Sequence, residues 1–110
     1  MLKRLLAVDG VVVVARFRDD GQLVEGYGML DEANMVRLVK FAHDYKRLTQ
    51  SHADQLSMFT QQRGWTPPRG WIVRGVQMTA CSMGNLVCLM RNDEGSLNEV
   101  LSELDDLSHY

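Results

Sequence analysis

Continuous apolar runs and helically spaced apolar residues follow one another along the chain, and each type of pattern predicts a different element. The run from Val11 to Phe17 begins with four consecutive valines, whose β-branched side chains favour a strand. Polar residues do not alternate with apolar ones in this run. Both faces of the strand are therefore expected to be covered by other elements.

A turn and a second strand follow directly. The Asp19-Asp20-Gly21 segment is typical of a tight turn, because aspartate tolerates left-handed backbone geometry and glycine adopts it without steric cost. The apolar runs on either side predict a β-hairpin that returns along Leu23–Gly28. Two glycines weaken this returning strand, which indicates a sheet edge or the close approach of another element.

A long helix is predicted over residues 31–63. Asp31 is a typical N-cap residue, and Gly64 is typical of the position just after a helix. Between them, apolar side chains recur at helical spacing and form one stripe. The stripe consists of Val36, Val39, Ala42, Tyr45, either Leu48 or Thr49, Ala53, Leu56 and Phe59.

Three further strands are predicted, over residues 71–76, 77–83 and 86–91. Gly84 and Asn85 suit the two central positions of a tight hairpin turn between the last two strands. A two-residue turn sets the register of the hairpin and places Cys81 directly opposite Cys88.

A second amphipathic helix follows the strands, with Ser96 as its predicted N-cap. Its apolar face consists of Leu97, Val100, Leu101, Leu104 and Leu107. A short helix over residues 2–8 precedes the first strand. We therefore expect a single α/β (α+β) domain over residues 1–110. It is a three-layer sandwich whose five-stranded antiparallel sheet carries the long helix on one face and the N- and C-terminal helices on the other.

Composition and charge narrow the classes of function. The 110 residues suffice for one domain. A net charge of −2 and a pI near 5.8 predict no basic face for nucleic acid and no attraction to an acidic membrane surface. The sequence has no apolar stretch of about 20 residues, so no membrane insertion is expected. Two cysteines are too few for a disulfide scaffold, and we expect a cytoplasmic protein.

The order of elements and several segments resemble the roadblock/LC7 domain, which has a profilin-like topology. Gly10 to Phe17, with the aspartate turn that follows, is similar to the opening hairpin of that family. The long helix and the hairpin through Gly84 and Asn85 also have the family's positions. The segment from Trp65 to Trp71, with its two prolines, resembles an uncharacterised prokaryotic branch of roadblock-like proteins.

This resemblance implies a non-enzymatic, dimeric protein. In roadblock domains the third strands of two copies pair into one sheet and the long helices lie side by side, and many members bind small Ras-like GTPases. For this chain it implies a homodimer through strand 71–76 and helix 31–63, which acts as an adaptor or regulates a small GTPase. The implied interface residues are Trp71, Ile72, Val73, Arg74, Val76, Val39, His43 and Lys46.

Two pairs of side chains are candidate partner anchors. Trp65 and Trp71 are either aromatic anchors at an interface, where tryptophan is enriched, or a cover over the end of the core. Arg37 and Lys40 give the long helix a basic outer side, where an acidic partner would bind. The alternative interpretation is a solvated helix face, which has the same charged composition without binding a partner.

Cys81 and Cys88 are a candidate redox pair. Opposite residues on neighbouring strands have Cβ atoms roughly 5 Å apart, so a disulfide would require some strain. The alternative interpretation is two small buried hydrophobic side chains, which is the usual role of free cysteine.

No residue pattern indicates a cofactor, a metal ion or a catalytic group. His43 and His52 are nine positions apart on the predicted helix, about 13 Å along its axis, which is too far to share a metal ion. The two glycines around Tyr27 lack the third glycine of a dinucleotide loop. The sequence therefore favours a binding protein, with an accessory subunit of a metabolic or redox enzyme complex as the alternative.

Overall fold

A computed structural model describes the backbone of residues 2–60 and 70–108 and the side chains of residues 2–52 and 70–108. The elements follow in the predicted order. They are a 3-10 helix (Leu2–Ala7), β1 (Val11–Phe17), β2 (Leu23–Gly28), α1 (Glu32–Thr60), β3 (Gly70–Arg74), β4 (Met78–Met83), β5 (Leu86–Arg91) and α2 (Leu97–Ser108). The strands form one antiparallel sheet in the order β2-β1-β5-β4-β3, so β2 and β3 are its edges.

β1 supplies apolar side chains to both faces of the sheet, as its valine run predicts. A register shift between Val11 and Val13 interrupts the pairing of β1 with β5. Val11 and Val14 lie in the core cluster under α2, whereas Val13, Ala15 and Phe17 lie in the cluster under α1. Because such a shift changes which residues face each side, a run without alternation can fill two cores.

α1 covers one face of the sheet. Asp31 caps its first turn, because its Oδ1 accepts a hydrogen bond from the backbone N of Asn34 at 2.8 Å. The buried side chains of Met35, Val39 and Ala42 are spaced at helical intervals and form the stripe that packs on the sheet.

The 3-10 helix and α2 cover the opposite face. Leu2 and Leu5 are buried in the same apolar cluster as Leu104 of α2. At the surface, Arg4 Nη2 lies 2.6 Å from Glu103 Oε2 and joins the two elements. The three-layer α+β sandwich expected from the sequence is therefore confirmed, with a 3-10 helix as the short first helix.

The predicted bounds of two strands are wrong. β3 was expected over residues 71–76, but it ends at Arg74 because Gly75 N donates to Met78 O at 2.8 Å and closes a turn. β4 accordingly begins at Met78 instead of Gln77. The helix predicted over residues 31–63 is observed up to Thr60, and residues 61–63 lie outside the described residues.

Two glycines with positive φ differ in the space around them. A Cβ on Gly28, at φ 123°, would lie 2.2 Å from the carbonyl oxygen of Val12. A Cβ on Gly84, at φ 59°, would meet its nearest neighbour, the Cβ of Ser108, at an ordinary 3.5 Å. The first glycine is therefore required by close strand packing and the second only by the turn.

We expect Gly28→Ala to lower the free energy of unfolding by about 2–4 kcal/mol, because it adds a backbone clash to an unfavourable φ. The control Gly84→Asn should cost less than about 1 kcal/mol, because asparagine tolerates left-handed geometry. Urea unfolding followed by circular dichroism measures both. Equal losses for the two variants would show that close packing at Gly28 is unimportant.

Candidate interaction surface at the sheet edge

β3 presents an unpaired edge. Among the described residues it pairs with β4 on one side, and no strand lies on its other side. The hydrogen bond from Gly75 N to Met78 O fixes the alternation of the ladder between β3 and β4. Trp71 and Val73 therefore have their peptide groups directed at β4, whereas those of Ile72 point away from the sheet.

The side chains along this edge are apolar and accessible. Ile72 is 46% exposed, Val73 is 39% exposed, and Val76, just beyond the strand, is 98% exposed. Neighbouring strand residues point to opposite faces. Apolar side chains are thus accessible on both sides of the β3 edge.

α1 extends this apolar region on its own face of the sheet. Phe41 and Leu48 are about half exposed, and their spacing of seven residues places them on the same side of the helix. We define the β3–α1 surface by the exposed apolar residues of the two elements and the turn beside them. These residues are Phe41, Leu48, Ile72, Val73 and Val76.

An aromatic cluster supports the β3–α1 surface from below. The ring of Trp71 lies 4.9 Å from that of Tyr45 and 5.7 Å from that of Phe41, the latter in a perpendicular arrangement. Phe41 and Tyr45 are themselves 5.5 Å apart. These contacts join α1 to the edge strand, and such geometries are favourable for aromatic pairs.

Trp71 is a buried support and not an exposed anchor. Only 7% of its surface is accessible, and it belongs to the core cluster under α1. Its Nε1 has no hydrogen-bond acceptor among the residues that the structure describes. The other candidate aromatic anchor, Trp65, lies outside the described residues.

Three of the predicted interface residues on α1 contact their own sheet. Val39 is fully buried. His43 Nε2 is hydrogen-bonded to the backbone O of Asp19 at 2.8 Å, and Lys46 Nζ donates to Asn85 Oδ1 at 2.8 Å. Since Asn85 Nδ2 also donates to Asp19 Oδ1 at 2.8 Å, one polar network joins α1 to the β1–β2 turn and the β4–β5 turn.

Two residues of this surface, Phe41 and Leu48, are not among the interface residues predicted from the sequence. Leu48, an alternative to Thr49 in the predicted apolar stripe, is 50% exposed. Phe41 was not assigned to this surface, although its spacing of seven from Leu48 was a readable signal for a second apolar stripe on the helix. The partners of His43 and Lys46 gave no such signal, because they come from hairpin turns distant in the sequence. Arg37 and Lys40 are exposed on α1, as predicted for a basic outer side.

The other edge strand, β2, is paired less regularly than β3. The pairing of β2 with β1 shifts register between Arg16 and Phe17, so Val24 lies at an irregularity. β3 pairs with β4 without a shift over all five of its residues. Bulges hinder edge-to-edge pairing of strands, so β3 is the better template for an added strand.

Groups suited to metal binding or catalysis are sparse in the described part of the chain. No group of three or more histidine, cysteine, aspartate or glutamate side chains there is placed to hold a metal ion. Cys81 and Cys88 are both buried and pair directly across β4 and β5, as the turn predicted. No described helix is long and apolar enough to cross a membrane.

One protein family matches nearly the whole chain. Residues 1–106 match the family described as "Uncharacterized conserved protein (DUF2173)". A comparison with curated proteins gave no match.

Solved structures of low sequence identity share the fold. A roadblock/LC7 domain from Streptomyces avermitilis has a TM-score of 0.83 at 14% identity, over 98% of this chain and 88% of that chain. MglB from Myxococcus xanthus has a TM-score of 0.69 at 16% identity, over 90% and 78%. A structure of MglB with a tetrameric arrangement has 0.74 at 15%, over 98% and 82%. The chain therefore has the roadblock/LC7 fold that its sequence resembles.

Substitutions of Trp71 should separate its packing from its indole N–H. We expect Trp71→Ala to lower the free energy of unfolding by about 3–5 kcal/mol through loss of buried surface. Trp71→Phe should cost about 1 kcal/mol or less, because it also removes a buried donor without an acceptor. Phe41→Ala, at a half-exposed position, is the matched control and should cost about 1 kcal/mol. Equal losses for Trp71→Phe and Trp71→Ala in urea unfolding would contradict this account.

Proposed function

We propose a binding function for this chain, which belongs to the DUF2173 family of uncharacterized conserved proteins and has the roadblock/LC7 fold. The protein acts as a homodimeric adaptor or regulatory protein without enzymatic activity of its own. Its resemblance to roadblock/LC7 domains implies a small Ras-like GTPase as the partner.

The observation that carries the proposal is the exposure of the β3–α1 surface. Its five residues are apolar and accessible, and the ring of Phe41 contacts Trp71 of the edge strand. Exposed apolar patches mark sites of protein interaction. The outward peptide groups of β3, which have no strand partner in the described part of the chain, add hydrogen-bonding capacity along the same edge and suit the addition of a strand.

A second copy of the chain fits both features. Two β3 strands that pair antiparallel about a two-fold axis would join two five-stranded sheets into one continuous sheet. The same axis would bring the exposed apolar residues of each α1 toward the partner copy. The tetrameric arrangement of an MglB with this fold supports self-association.

The predicted interface residues would have different roles in this dimer. Ile72, Val73 and Arg74 lie on the pairing edge itself, and Val76 follows it. Trp71 supports the edge from the core. The remaining three predicted residues, Val39, His43 and Lys46, would act indirectly by holding α1 in position on its own sheet.

The basic side of α1 is the proposed contact for the GTPase. Arg37, Lys40 and Arg47 are exposed and are spaced so that they lie near one side of the helix. Positive side chains attract an acidic surface and increase the rate of encounter. The resemblance supplies the class of partner, and these residues supply a surface on which it could bind.

One prediction of the proposed function concerns dimerisation. The Ile72 amide points away from the sheet, so Ile72→Pro should remove two hydrogen bonds per dimer and leave β3 paired with β4. We expect the dissociation constant to rise about 30- to 150-fold, from a loss of roughly 2–3 kcal/mol. Light scattering on a sizing column over a range of concentrations measures this change.

Its matched control is Ile72→Ala, which keeps the amide N–H and shortens only the side chain. This variant should dimerise more tightly than Ile72→Pro. Circular dichroism should show both variants folded. If Ile72→Pro remains as tightly dimeric as the unaltered protein, another surface forms the dimer; a monomeric unaltered protein would remove the dimer proposal altogether.

Another prediction of the proposed function concerns the partner. A small Ras-like GTPase from the same genome, loaded with GDP or a non-hydrolysable GTP analogue, should bind the dimer in a nucleotide-dependent way. The double variant Arg37→Glu/Lys40→Glu should weaken binding about tenfold or more by reversing the charge of the contact. Lys3→Glu, on the opposite face of the sheet, is the control and should have no effect. Calorimetric titration that detects no binding in either nucleotide state would favour an accessory enzyme subunit.

A further inference from the structure

The hairpin of β4 and β5 places the two cysteines of the chain directly opposite each other. Their side chains lie on the sheet face covered by α2 and belong to the same core cluster as Leu104. Both are fully buried and neither is part of a disulfide. The chain has no other cysteine, so any disulfide within one copy must join these two residues.

The ladder also fixes the type of pairing. Asn92 N donates to Gln77 O at 2.9 Å, so hydrogen-bonded pairs recur at every second position between β4 and β5. Cys81 and Cys88 form one of these pairs. The Cα atoms of such a pair are about 5.5 Å apart, which is within the range that disulfides span.

A bond between these residues would be strained. Opposite Cβ atoms lie about 4.5–5.5 Å apart, whereas a disulfide draws them to about 3.8 Å. Strained disulfides are more easily reduced than structural ones and occur at labile or regulatory sites. The position therefore permits a disulfide but does not favour a permanent one.

The two thiols also interact in the reduced protein. The Cys88 Sγ itself donates to the backbone O of Leu89 at 3.8 Å. The neighbouring Cys88 thiol lowers the pKa of the Cys81 thiol against the opposing effect of burial, whereas the neighbouring Cys81 thiol and burial raise the pKa of Cys88. The two thiols therefore differ in acidity, and Cys81 is the one that forms a thiolate more readily. This arrangement favours the thiolate that reacts with oxidants.

We propose that Cys81 and Cys88 are a site of reversible oxidation at which a hydroperoxide closes a labile disulfide within one copy of the chain. The proposal does not depend on dimerisation or on the identity of a partner. It is also distinct from the interaction surface, because both sulfurs lie beneath α2.

The chemistry balances with hydrogen peroxide as the oxidant. One thiolate attacks a peroxide oxygen, the O–O bond breaks, and a sulfenic acid and one water are formed. The second thiol then attacks the sulfenic sulfur, the S–S bond forms, and the second water leaves. The two thiol protons end in the two water molecules, and the two electrons from the sulfurs reduce the peroxide.

Access requires a local opening, because both sulfurs are covered. α2 packs on them through an apolar face that includes Leu104 and is joined to the 3-10 helix by Arg4 and Glu103. Partial undocking of such an element is a common low-energy opening in folded proteins. Oxidation should therefore be slower in the folded chain than in the unfolded one, and faster when α2 packs less well.

The test uses the full chain, reduced and then exposed to hydrogen peroxide. Remaining thiols are alkylated in denaturant, and intact mass spectrometry counts the blocked thiols per chain. We expect the folded protein to become two hydrogen atoms lighter with no thiol left to alkylate, and reduced glutathione to restore both thiols. Leu104→Ala should accelerate oxidation, and Cys81→Ala or Cys88→Ala should abolish the intramolecular product.

Several results would overturn the proposal. If the thiols stay free in the folded protein under conditions that oxidise the urea-unfolded chain, Cys81 and Cys88 are only small core side chains without a redox role. Disulfides formed only between copies, or oxidation that stops at sulfenic or sulfinic acid, would exclude the intramolecular bond.

The lability of the bond needs a separate measurement in glutathione buffers. If the bond is strained, the folded protein should be reduced at a glutathione concentration about tenfold lower than the urea-unfolded chain requires. A bond that is harder to reduce in the folded protein would identify a structural disulfide instead of a reversible site.

Discussion

The requirement to cover both faces of one apolar sheet governs this structure. β1 carries almost no polar side chains and, through its register shift at Val11 to Val13, sends apolar groups to both sides. A sheet of this kind is stable only as the middle layer of three. α1 therefore lies on one face, and the 3-10 helix with α2 lies on the other.

The edge at β3 is exposed because the helices on the two faces of the sheet cover this strand only in part. α2 has 12 residues and shares the core cluster of β4 and β5, whereas Ile72 on the neighbouring β3 stays half exposed. On the other face, α1 reaches β3 through Trp71 but leaves Val73 accessible. The sheet is thus covered well at its centre and incompletely at β3, and this incomplete cover creates the β3–α1 surface.

Local sequence was sufficient to predict those features of the fold that depend on residues close together in the chain. The Gly84-Asn85 turn determines the register of its hairpin, so the opposition of Cys81 and Cys88 could be predicted. The end of β3 could not be predicted from local sequence, because Val76 has the β-branched side chain that is typical of a strand residue. Asn92, sixteen residues away, donates to the carbonyl oxygen of Val76 at 3.2 Å and holds it in a turn.

Dependence on residues distant in the sequence also explains which features of the candidate site could not be predicted. The resemblance placed His43 and Lys46 at an interface, and a sequence pattern does not reveal that hairpin turns 24 and 39 residues away supply their hydrogen-bond partners. Exposure of Phe41 was easier to anticipate, because helical spacing separates it from the buried stripe through Val39. Long-range polar partners are set by tertiary packing, whereas helical faces are set by spacing alone.

The polar network has a consequence for binding. Hydrogen bonds from α1 to the β1–β2 and β4–β5 turns, together with the contact of Tyr45 with Trp71, fix the helix relative to β3 before a partner binds. Association is weakened when an interface must first be ordered, and a fixed helix reduces that entropic loss. Residues buried beneath the β3–α1 surface can therefore strengthen binding without contacting the partner.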